Sequence, residues 1–129
     1  NIFGQYHKTM GFNKVLYLKA TCPFCQKVMV ALGELGCLKD IDLQEDSEEN
    51  RKMLEDKLGK KPTFPTMEVE EGKYVADSDE IIDMHCKEKG VAREDLIALK
   101  FYMNGLFPAY KQMVKHIGYD KIAEVLAKK

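Results

Sequence analysis

The sequence predicts an α/β fold, in which a small sheet carries helices on its faces and a helical extension follows. Three observations indicate this: a βαβ pattern near the N-terminus, a later hairpin followed by a helix, and helical periodicity over the last third of the chain. The full order is strand, helix, strand, helix, hairpin, helix. At 129 residues the chain is long enough for one domain with its own core.

The βαβ unit is predicted from local patterns. Residues 14–20 (KVLYLKA) form a short apolar run rich in strand formers, which predicts a buried strand. From Pro23 to Leu35, apolar side chains recur at helical spacing. Pro23 suits the first turn of this helix and Gly36 suits its end. Residues 37–43 (CLKDIDL) alternate and predict a second, weaker strand.

Two further helices and a hairpin follow. Residues 46–59 (DSEENRKMLEDKLG) start with Asp and Ser, continue with an acidic turn and end in Gly, which predicts a helix. Residues 66–70 and 73–76 read as two strands joined by an EGK turn. Residues 77–90 (DSDEIIDMHCKEKG) begin with Asp and Ser caps and stop at a glycine, which predicts a third helix.

The last part of the chain predicts two or three short helices, interrupted at Gly105, Pro108 and Gly118. We expect two apolar clusters there to pack against the rest of the domain, with a partner or dimer surface as the alternative. The clusters are Leu96, Leu99, Phe101, Leu106 and Phe107, and Ile122, Val125 and Leu126.

The predicted division is residues 1–12 as an N-terminal segment, 13–91 as the α/β domain and 92–129 as the helical extension. Because Met10 is the first methionine, residues 1–9 are treated as a trimmed or foreign terminus and set aside.

Composition excludes several classes. Hydrophobic residues make up 45% of the chain, charged residues 32%, and the net charge is −1, which is typical of a globular domain and not of a disordered one. A near-neutral chain has no general attraction to nucleic acid. No apolar run approaches the ~20 residues of a membrane span, and no signal peptide is evident. We expect a cytoplasmic protein with free thiols rather than a secreted disulfide framework.

The Cys22-x-x-Cys25 pair has three readings: metal site, structural disulfide or redox pair. Structural zinc takes four ligands, and the remaining candidates are a lone Cys37 and the adjacent His85 and Cys86, whose side chains diverge on a helix. A disulfide across two residues closes a tiny loop and gains little entropy. Cys37 and Cys86 are expected to be buried or incidental thiols, while the histidines at 85 and 116 are expected at the surface.

The redox reading has positive support. Cys22 falls between a strand and a helix, where unpaired N–H groups and the positive end of the helix dipole favour a thiolate. Lys19 adds positive charge. Cys25, one turn later, can attack a mixed disulfide on Cys22. A Cys-x-x-Cys beside a βαβ pattern therefore predicts a thioredoxin-like redox motif.

The segment VLYLKATCPFCQKV, residues 15–28, resembles the active-site strand, turn and helix of the glutaredoxins, which are glutathione-using disulfide reductases. The resemblance extends over roughly residues 14–90 and implies a thioredoxin-like fold with a four-stranded mixed sheet. Residues 63–67 (TFPTM) resemble the family's Thr-Val-Pro segment. Pro65 is therefore expected to be cis and to lie opposite the cysteines.

The resemblance also implies a set of glutathione contacts. Lys19 and Arg51 match positions that meet the glycine carboxylate, and Arg offers a bidentate fork for it. Ser78 and Asp79 lie at a helix start suited to the γ-glutamyl end. Phe64 presents extended backbone for the cysteinyl residue. The predicted glutathione-binding set is Lys19, Thr21, Phe24, Arg51, Phe64, Pro65, Ser78 and Asp79.

Three features depart from the glutaredoxin pattern. Ala76-Asp77 replaces a Gly-Gly pair, and the pair Asp77-Ser78 resembles the corresponding residues of the N-terminal domain of glutathione transferases. Phe24 replaces a more usual tyrosine. The extension is longer than a single-domain glutaredoxin needs and far shorter than a transferase's second domain.

We therefore expect a glutathione-dependent thiol-disulfide oxidoreductase that acts on protein or glutathione mixed disulfides. Cys22 would be the nucleophile, Cys25 the resolving thiol and glutathione the co-substrate, with no metal, as a monomer or a weak dimer through the C-terminal helices. The alternatives are a glutathione-binding or transferase-like module with little redox turnover and a thioredoxin-like reductase with another electron donor. An iron–sulfur protein with Cys22 and glutathione as ligands is a further alternative.

Overall fold

The computed structural model describes residues 11–128, so the expectations for residues 1–10 lie outside the described part. The described chain forms a four-stranded mixed sheet with helices packed on it and a helical extension. The strands are β1 (Val15–Leu18), β2 (Asp42–Glu45), β3 (Thr66–Glu70) and β4 (Lys73–Val75). The α-helices are α1 (Pro23–Glu34), α2 (Glu48–Leu58), α3 (Ser78–Lys89), α4 (Ile97–Asn104) and α5 (Leu106–Ala127). The predicted fold class is confirmed.

The strand order is β2-β1-β3-β4, and in this arrangement one end of each strand lies at the same edge of the sheet. β1 runs parallel to β2, with Leu18 opposite Glu45, and antiparallel to β3, with Tyr17 opposite Thr66. β4 runs antiparallel to β3 and ends beside its start. The residues that follow β1, β2 and β4 and those that precede β3 therefore share this end, which we call the site end.

The helix boundaries follow from their caps. Pro23 opens α1, where its missing N–H costs no helical bond. The Ser47 hydroxyl caps α2 by accepting from a backbone N–H, and the Asp77 carboxylate does the same for α3. Gly59 and Gly90 end these two helices in the left-handed conformation, with φ of 73° and 66°.

One hydrophobic core joins the sheet, α1, α3 and the start of the extension. Its buried members are Leu16, Val28, Ala31, Leu32, Cys37, Ile41, Met67, Val69, Ile81, Ile82, Cys86, Leu96 and Leu99. Tyr17 and Leu54 are buried outside this cluster. The prediction that Cys37 and Cys86 are buried thiols is confirmed. No helix within residues 11–128 has the length and apolar character needed to cross a membrane.

The second strand was predicted at residues 37–43, but β2 comprises Asp42–Glu45 and a short 3-10 turn, Leu38–Asp40, precedes it. The two buried apolar residues of the predicted strand, Cys37 and Ile41, are four apart. Two buried residues four positions apart fit one helical turn as well as an alternating strand. The structure has the helical turn here.

The extension has two of its three predicted breaks. α4 ends before Gly105, and Gly118 interrupts α5 with φ 81° and ψ 157°. The break predicted at Pro108 is wrong. Pro108 is the third residue of α5, where an N–H would have no acceptor inside the helix and its loss is harmless.

The predicted apolar clusters of the extension are only partly buried. Leu96, Leu99 and Phe107 are buried, as is Ile122. The remaining members, Phe101, Leu106, Val125 and Leu126, are 53–84% exposed.

The prediction that His85 lies at the surface is wrong. Its side chain is 1% exposed, because it lies one turn after Ile81 on the inner face of α3. Nδ1 donates to the Ile81 carbonyl at 2.7 Å and Nε2 accepts from the Lys14 ammonium at 3.3 Å. Burial lowers the pKa of His85, so the ring is neutral at neutral pH. His116 is exposed, as predicted.

Candidate active site

The two cysteines of the CPFC motif lie at the site end, on the turn from β1 into α1. Cys22 is the N-cap residue of α1, and Cys25 lies one turn later. The Cys22 N–H donates to the Lys19 carbonyl at 3.0 Å, and the Lys19 N–H donates to the Cys25 sulfur at 3.4 Å. Cys22 is 7% exposed and Cys25 is 1% exposed. The turn therefore holds both thiols in a small, largely dry space.

The environment separates the acidities of the two thiols. A hydrogen bond from the Cys25 thiol, with help from the backbone N–H groups of Cys25 and Phe24 and the charge of Lys19, lowers the pKa of Cys22 to about 6 despite its burial. The pKa of Cys25 is raised, first by the hydrogen bond that Cys25 makes with the Cys22 sulfur and then by the burial of Cys25. The Cys22 sulfur is therefore ionised at neutral pH, while Cys25 keeps its proton.

The peptide bond between Phe64 and Pro65 is cis, as the resemblance implied. Pro65 is buried and immediately precedes β3, so the sheet register puts it beside the end of β1. The Cys22 sulfur lies 3.7 Å from the Phe64 carbonyl oxygen, a long contact in which only the protonated thiol can donate. The Phe64 carbonyl and the Cys22 sulfur thus face each other.

The two cations expected to meet a carboxylate already have partners. The Lys19 ammonium lies over the ring of Tyr119, 4.5 Å from its centroid. Arg51, in α2, places Nε 2.8 Å from Oδ1 of Asp46, the residue that follows β2 at the site end. A ligand carboxylate would have to exchange with these contacts.

The start of α3 is also occupied. Asp77 accepts from the N–H groups of Asp79 and Glu80 at 2.9 and 3.1 Å, and Ser78 is the first helical residue. Oδ1 of Asp79 lies 2.8 Å from both Lys27 Nζ and Arg93 Nη2. The Lys27 ammonium, followed by the Arg93 guanidinium, lowers the pKa of Asp79. Asp79 is thus an ionised bridge between α1 and the residues after α3.

Lys27 was missed by the sequence analysis. It is 4% exposed, and its ammonium lies 5.6 and 5.7 Å from the ring centroids of Phe24 and Phe107. These two rings meet edge to face at 5.5 Å. The sequence around Lys27 does not distinguish it from an exposed lysine of a helix. Its burial depends on the extension, which packs over it.

Tyrosines of the extension contact the turn that carries Cys22 and Cys25, and the sequence analysis missed them too. The Tyr102 hydroxyl donates to Gln26 Oε1 at 2.8 Å, and the Tyr110 hydroxyl donates to the Thr21 carbonyl at 2.6 Å. Tyr119 carries the Lys19 contact. No pattern in the sequence connects these residues with the turn, because the contacts depend on where the extension packs.

An apolar cavity of about 400 Å³ separates part of the extension from the turn. Its lining includes Thr21, Gln26, Tyr110, Met113, Ile117 and Ile122. Thr21 directly precedes Cys22 in the chain, and Gln26 directly follows Cys25. Nowhere in residues 11–128 do three or more His, Cys, Asp or Glu side chains form a group able to hold a metal ion.

Comparison with protein families gives one match, to the glutathione S-transferase N-terminal domain, over residues 21–88. That range is more than half of the chain and includes both cysteines, the cis-proline and nearly all of α3. The chain belongs to this family. The likeness read from Asp77 and Ser78 is thereby confirmed, and the chain is a glutathione-related module with a thioredoxin-like fold.

Solved structures of this family share the fold. The chain superposes on glutathione transferase Omega 3C from Trametes versicolor with a TM-score of 0.50 and 20% identity, over 67% of this chain and 36% of that one. For a possible glutathione S-transferase from Rhodopseudomonas palustris the TM-score is 0.54 and the identity 20%, over 81% and 58% of the two chains.

Oxidized glutaredoxin 2 from Chlamydomonas reinhardtii also matches, with a TM-score of 0.43 and 18% identity over 70% of this chain and 94% of that one. Comparison with curated proteins found no match. The chain thus spans between about a third and three fifths of the two transferases it superposes on.

Proposed function

We propose that this transferase-family chain is a glutathione-dependent thiol-disulfide oxidoreductase that reduces protein or glutathione mixed disulfides. The observation that carries the proposal is the placement of the two thiols, with Cys22 at the N-cap of α1 and Cys25 one turn later, which lowers the pKa of Cys22 and raises that of Cys25. A low-pKa thiolate attacks disulfides, and a protonated neighbour one turn away can later resolve the product. A passive glutathione-binding module needs neither property.

The reaction balances with glutathione as reductant. The Cys22 thiolate attacks the glutathionyl sulfur of a mixed disulfide, a Cys22–glutathione disulfide forms, and the released protein thiolate takes a proton. A second glutathione, as thiolate, attacks that glutathionyl sulfur, which gives glutathione disulfide and restores the Cys22 thiolate. With a protein disulfide, the Cys22 thiolate first attacks one substrate sulfur, forms a mixed disulfide with the substrate and releases the other substrate thiolate, which takes a proton. Cys25 then loses its proton, attacks the Cys22 sulfur and displaces the remaining substrate thiolate, which takes that proton. Two glutathiones reduce the resulting Cys22–Cys25 disulfide to the two thiols and leave as glutathione disulfide.

Glutathione is proposed to bind along the site end. The Phe64 backbone beside Pro65 would pair with its cysteinyl residue, with Thr21 and Phe24 flanking the sulfur. Lys19 and Arg51 would take the glycine carboxylate, and Ser78 and Asp79 the γ-glutamyl end. The Arg51 side chain is 56% exposed and accessible to a ligand carboxylate, whereas Asp46 is only 16% exposed and would lose its partner if the exchange were complete. The substrates would be disulfide-containing proteins of the cytoplasm.

The test is a coupled assay with glutathione, glutathione reductase and a small mixed disulfide. Cys22→Ser should abolish turnover, because the nucleophile is lost. Cys25→Ser should keep much of it, because glutathione alone completes the mixed-disulfide route, yet it should lose reduction of protein disulfides. Activity in Cys22→Ser, or equal loss in both variants, would overturn these assignments. Turnover with a dithiol reductant but none with glutathione would favour the thioredoxin-like alternative.

A second candidate is favoured by the apolar cavity beside Thr21 and Gln26. A transferase-like module would hold an apolar electrophile there while the glutathione thiolate forms a carbon–sulfur bond and displaces the leaving group. The test is conjugation of glutathione to an apolar aryl halide by Cys25→Ser. Conjugation at a rate above that of mixed-disulfide reduction would favour the transferase over the oxidoreductase.

A further inference from the structure

The aromatic side chain between the two cysteines lies at the surface of the molecule. Phe24 is 40% exposed, whereas Cys22 and Cys25 are buried. Phe24 follows Cys22 by two residues, so the Cα atoms of the two residues are at most about 7 Å apart. A protein that brings a disulfide to the Cys22 sulfur therefore also comes close to the ring of Phe24.

The extension places a second ring and an ammonium group beside Phe24. The rings of Phe24 and Phe107 meet edge to face, with 5.5 Å between their centroids. Lys111 lies one turn after Phe107 on α5. Its ammonium is 5.5 Å from the ring centroid of Phe24 and 5.1 Å from that of Phe107, and both distances are within the range of a cation–π contact. The extension thus adds a cation to the surface next to the cysteines.

Two ammonium groups contact these rings, and they differ in their access to solvent. Lys27 is 4% exposed and pairs with Asp79 at 2.8 Å. Lys111 is exposed, and within residues 11–128 its ammonium contacts the two rings and no carboxylate. The charge of Lys27 is therefore used inside the protein, whereas the charge of Lys111 is accessible to a partner.

The part of the extension around Lys111 is basic. Residues 97–119 include Lys100, Lys111 and Lys115 and no Asp or Glu, although the chain as a whole has a net charge of −1. The start of α3, at the same end of the sheet, is acidic in contrast. A segment with a carboxylate is therefore attracted to the side of the site that the extension forms and repelled by the side that α3 forms.

We propose that Phe24 and Lys111, supported by the ring of Phe107, form a docking surface for substrate proteins that carry an acidic side chain next to their disulfide. The inference rests on the proposed function and deepens it, because it names the class of protein disulfide that Cys22 attacks. The substrate carboxylate pairs with the Lys111 ammonium, and an apolar side chain of the same segment covers the ring of Phe24. Complementary charge of this kind acts mainly on the rate of association and on specificity.

The experiment measures how fast Cys22 captures two peptides in the Cys25→Ser variant, in which no second thiol resolves the product. The peptides differ only in the residue before their single cysteine, which is Glu or Lys, and each cysteine is activated as its 2-thiopyridyl disulfide. The Cys22 thiolate attacks the peptide sulfur, forms a Cys22–peptide disulfide and displaces pyridine-2-thiolate, which takes a proton and is followed by its absorbance. Mass spectrometry identifies the modified cysteine.

The Glu peptide should react up to about fivefold faster than the Lys peptide at low salt, and the ratio of the two rates should approach one at high salt. Net charge alone predicts the opposite order, because the chain carries −1. Lys111→Glu should reverse the preference. Because a ratio of rates is compared, a change in the reactivity of Cys22 itself cancels. Circular dichroism confirms that each variant is folded.

Lys89→Glu is the matched control. It makes the same change of charge at an exposed residue, but at the last position of α3, about 17 Å along the helix from its start at the site end. This variant should keep the preference for the Glu peptide.

Equal rates for the two peptides at low salt would overturn the proposal. So would a preference that Lys111→Glu leaves in place, or one that Lys89→Glu also reverses. Capture of the peptides needs no glutathione. A Glu preference that Lys111→Glu reverses, together with an inactive coupled assay, would therefore reject the glutathione-dependent oxidoreductase and retain the docking surface.

Discussion

The turn that carries Cys22 and Cys25 and the charged side chains around it, which we call the rim, are built in different ways. In the turn, the groups that lower the pKa of Cys22 are its own helix start and a thiol three residues away, with a smaller contribution from the charge of Lys19. In the rim, each charged group meets a partner from another element: Lys19 meets Tyr119, Arg51 meets Asp46, and Asp79 meets Lys27 and Arg93. The turn is thus ready for chemistry, whereas the rim must exchange partners to hold a ligand.

Because of this difference, we expect the turn to determine the reactivity of Cys22 and the rim to determine the binding of a ligand. Changes in the rim, apart from Lys19 whose charge also acts on Cys22, should alter stability or glutathione affinity and leave the Cys22 thiolate nearly unchanged. Changes in the turn should do the reverse. The following predictions test that separation, and the largest expected effect comes first.

Lys27→Ala should lower the free energy of unfolding by about 2 kcal/mol. Loss of one member of a buried ion pair typically costs about 3–5 kcal/mol. The expected value is smaller because Asp79 is more than half exposed and keeps Arg93. Urea unfolding measures the change.

Lys111→Ala is the matched control for Lys27→Ala. Its ammonium lies over the same two rings, at 5.5 and 5.1 Å, but the residue is exposed, so we expect less than about 0.5 kcal/mol. Equal effects of the two changes would show that Lys27 contributes only ring packing. A lowered Cys22 alkylation rate in folded Lys27→Ala would contradict the separation of rim from turn.

Arg51→Ala should weaken apparent glutathione affinity by roughly tenfold, because one exposed charge-assisted contact with a carboxylate is lost. The loss should shrink at high salt. Steady-state kinetics with varied glutathione, at two salt concentrations, measure it.

Lys52→Ala, which removes an exposed cation from the next position of α2, is the control for charge alone. Asp46→Asn should leave Arg51 more available and should not weaken glutathione binding. If Arg51→Ala and Lys52→Ala had the same effect, Arg51 would have no specific place in the site.

The turn could be predicted from sequence because its determinants are local. The strand before Cys22, Pro23 at the helix start and Cys25 one turn on are adjacent in the chain, and their geometry follows from helix rules. The cis bond at Pro65 came from the resemblance to glutaredoxins. These elements and the four-stranded sheet are confirmed.

The rim could not be predicted in the same way, because its contacts join residues far apart in the chain. Asp79 was expected to be available for a ligand, but its partners lie 52 and 14 residues away. His85 was expected at the surface, yet the inner face of α3 buries it. For both residues the sequence correctly predicted the helix in which they lie. Their partners and their burial depend on tertiary packing that local patterns do not encode.

The most direct test of the central claim is the pH dependence of Cys22 alkylation in the unmodified chain and in Cys25→Ala. Because the thiolate is the reactive form, the rate should rise with pH, reach half its maximum near pH 6 and fall away below it. Cys25→Ala removes the hydrogen-bond donor that contributes most to this low pKa, whereas serine would keep a donor there, so the midpoint of Cys25→Ala should move upward. A midpoint near the ordinary thiol value of about 8.5 in the unmodified chain would contradict the account. So would a midpoint that Cys25→Ala leaves unchanged.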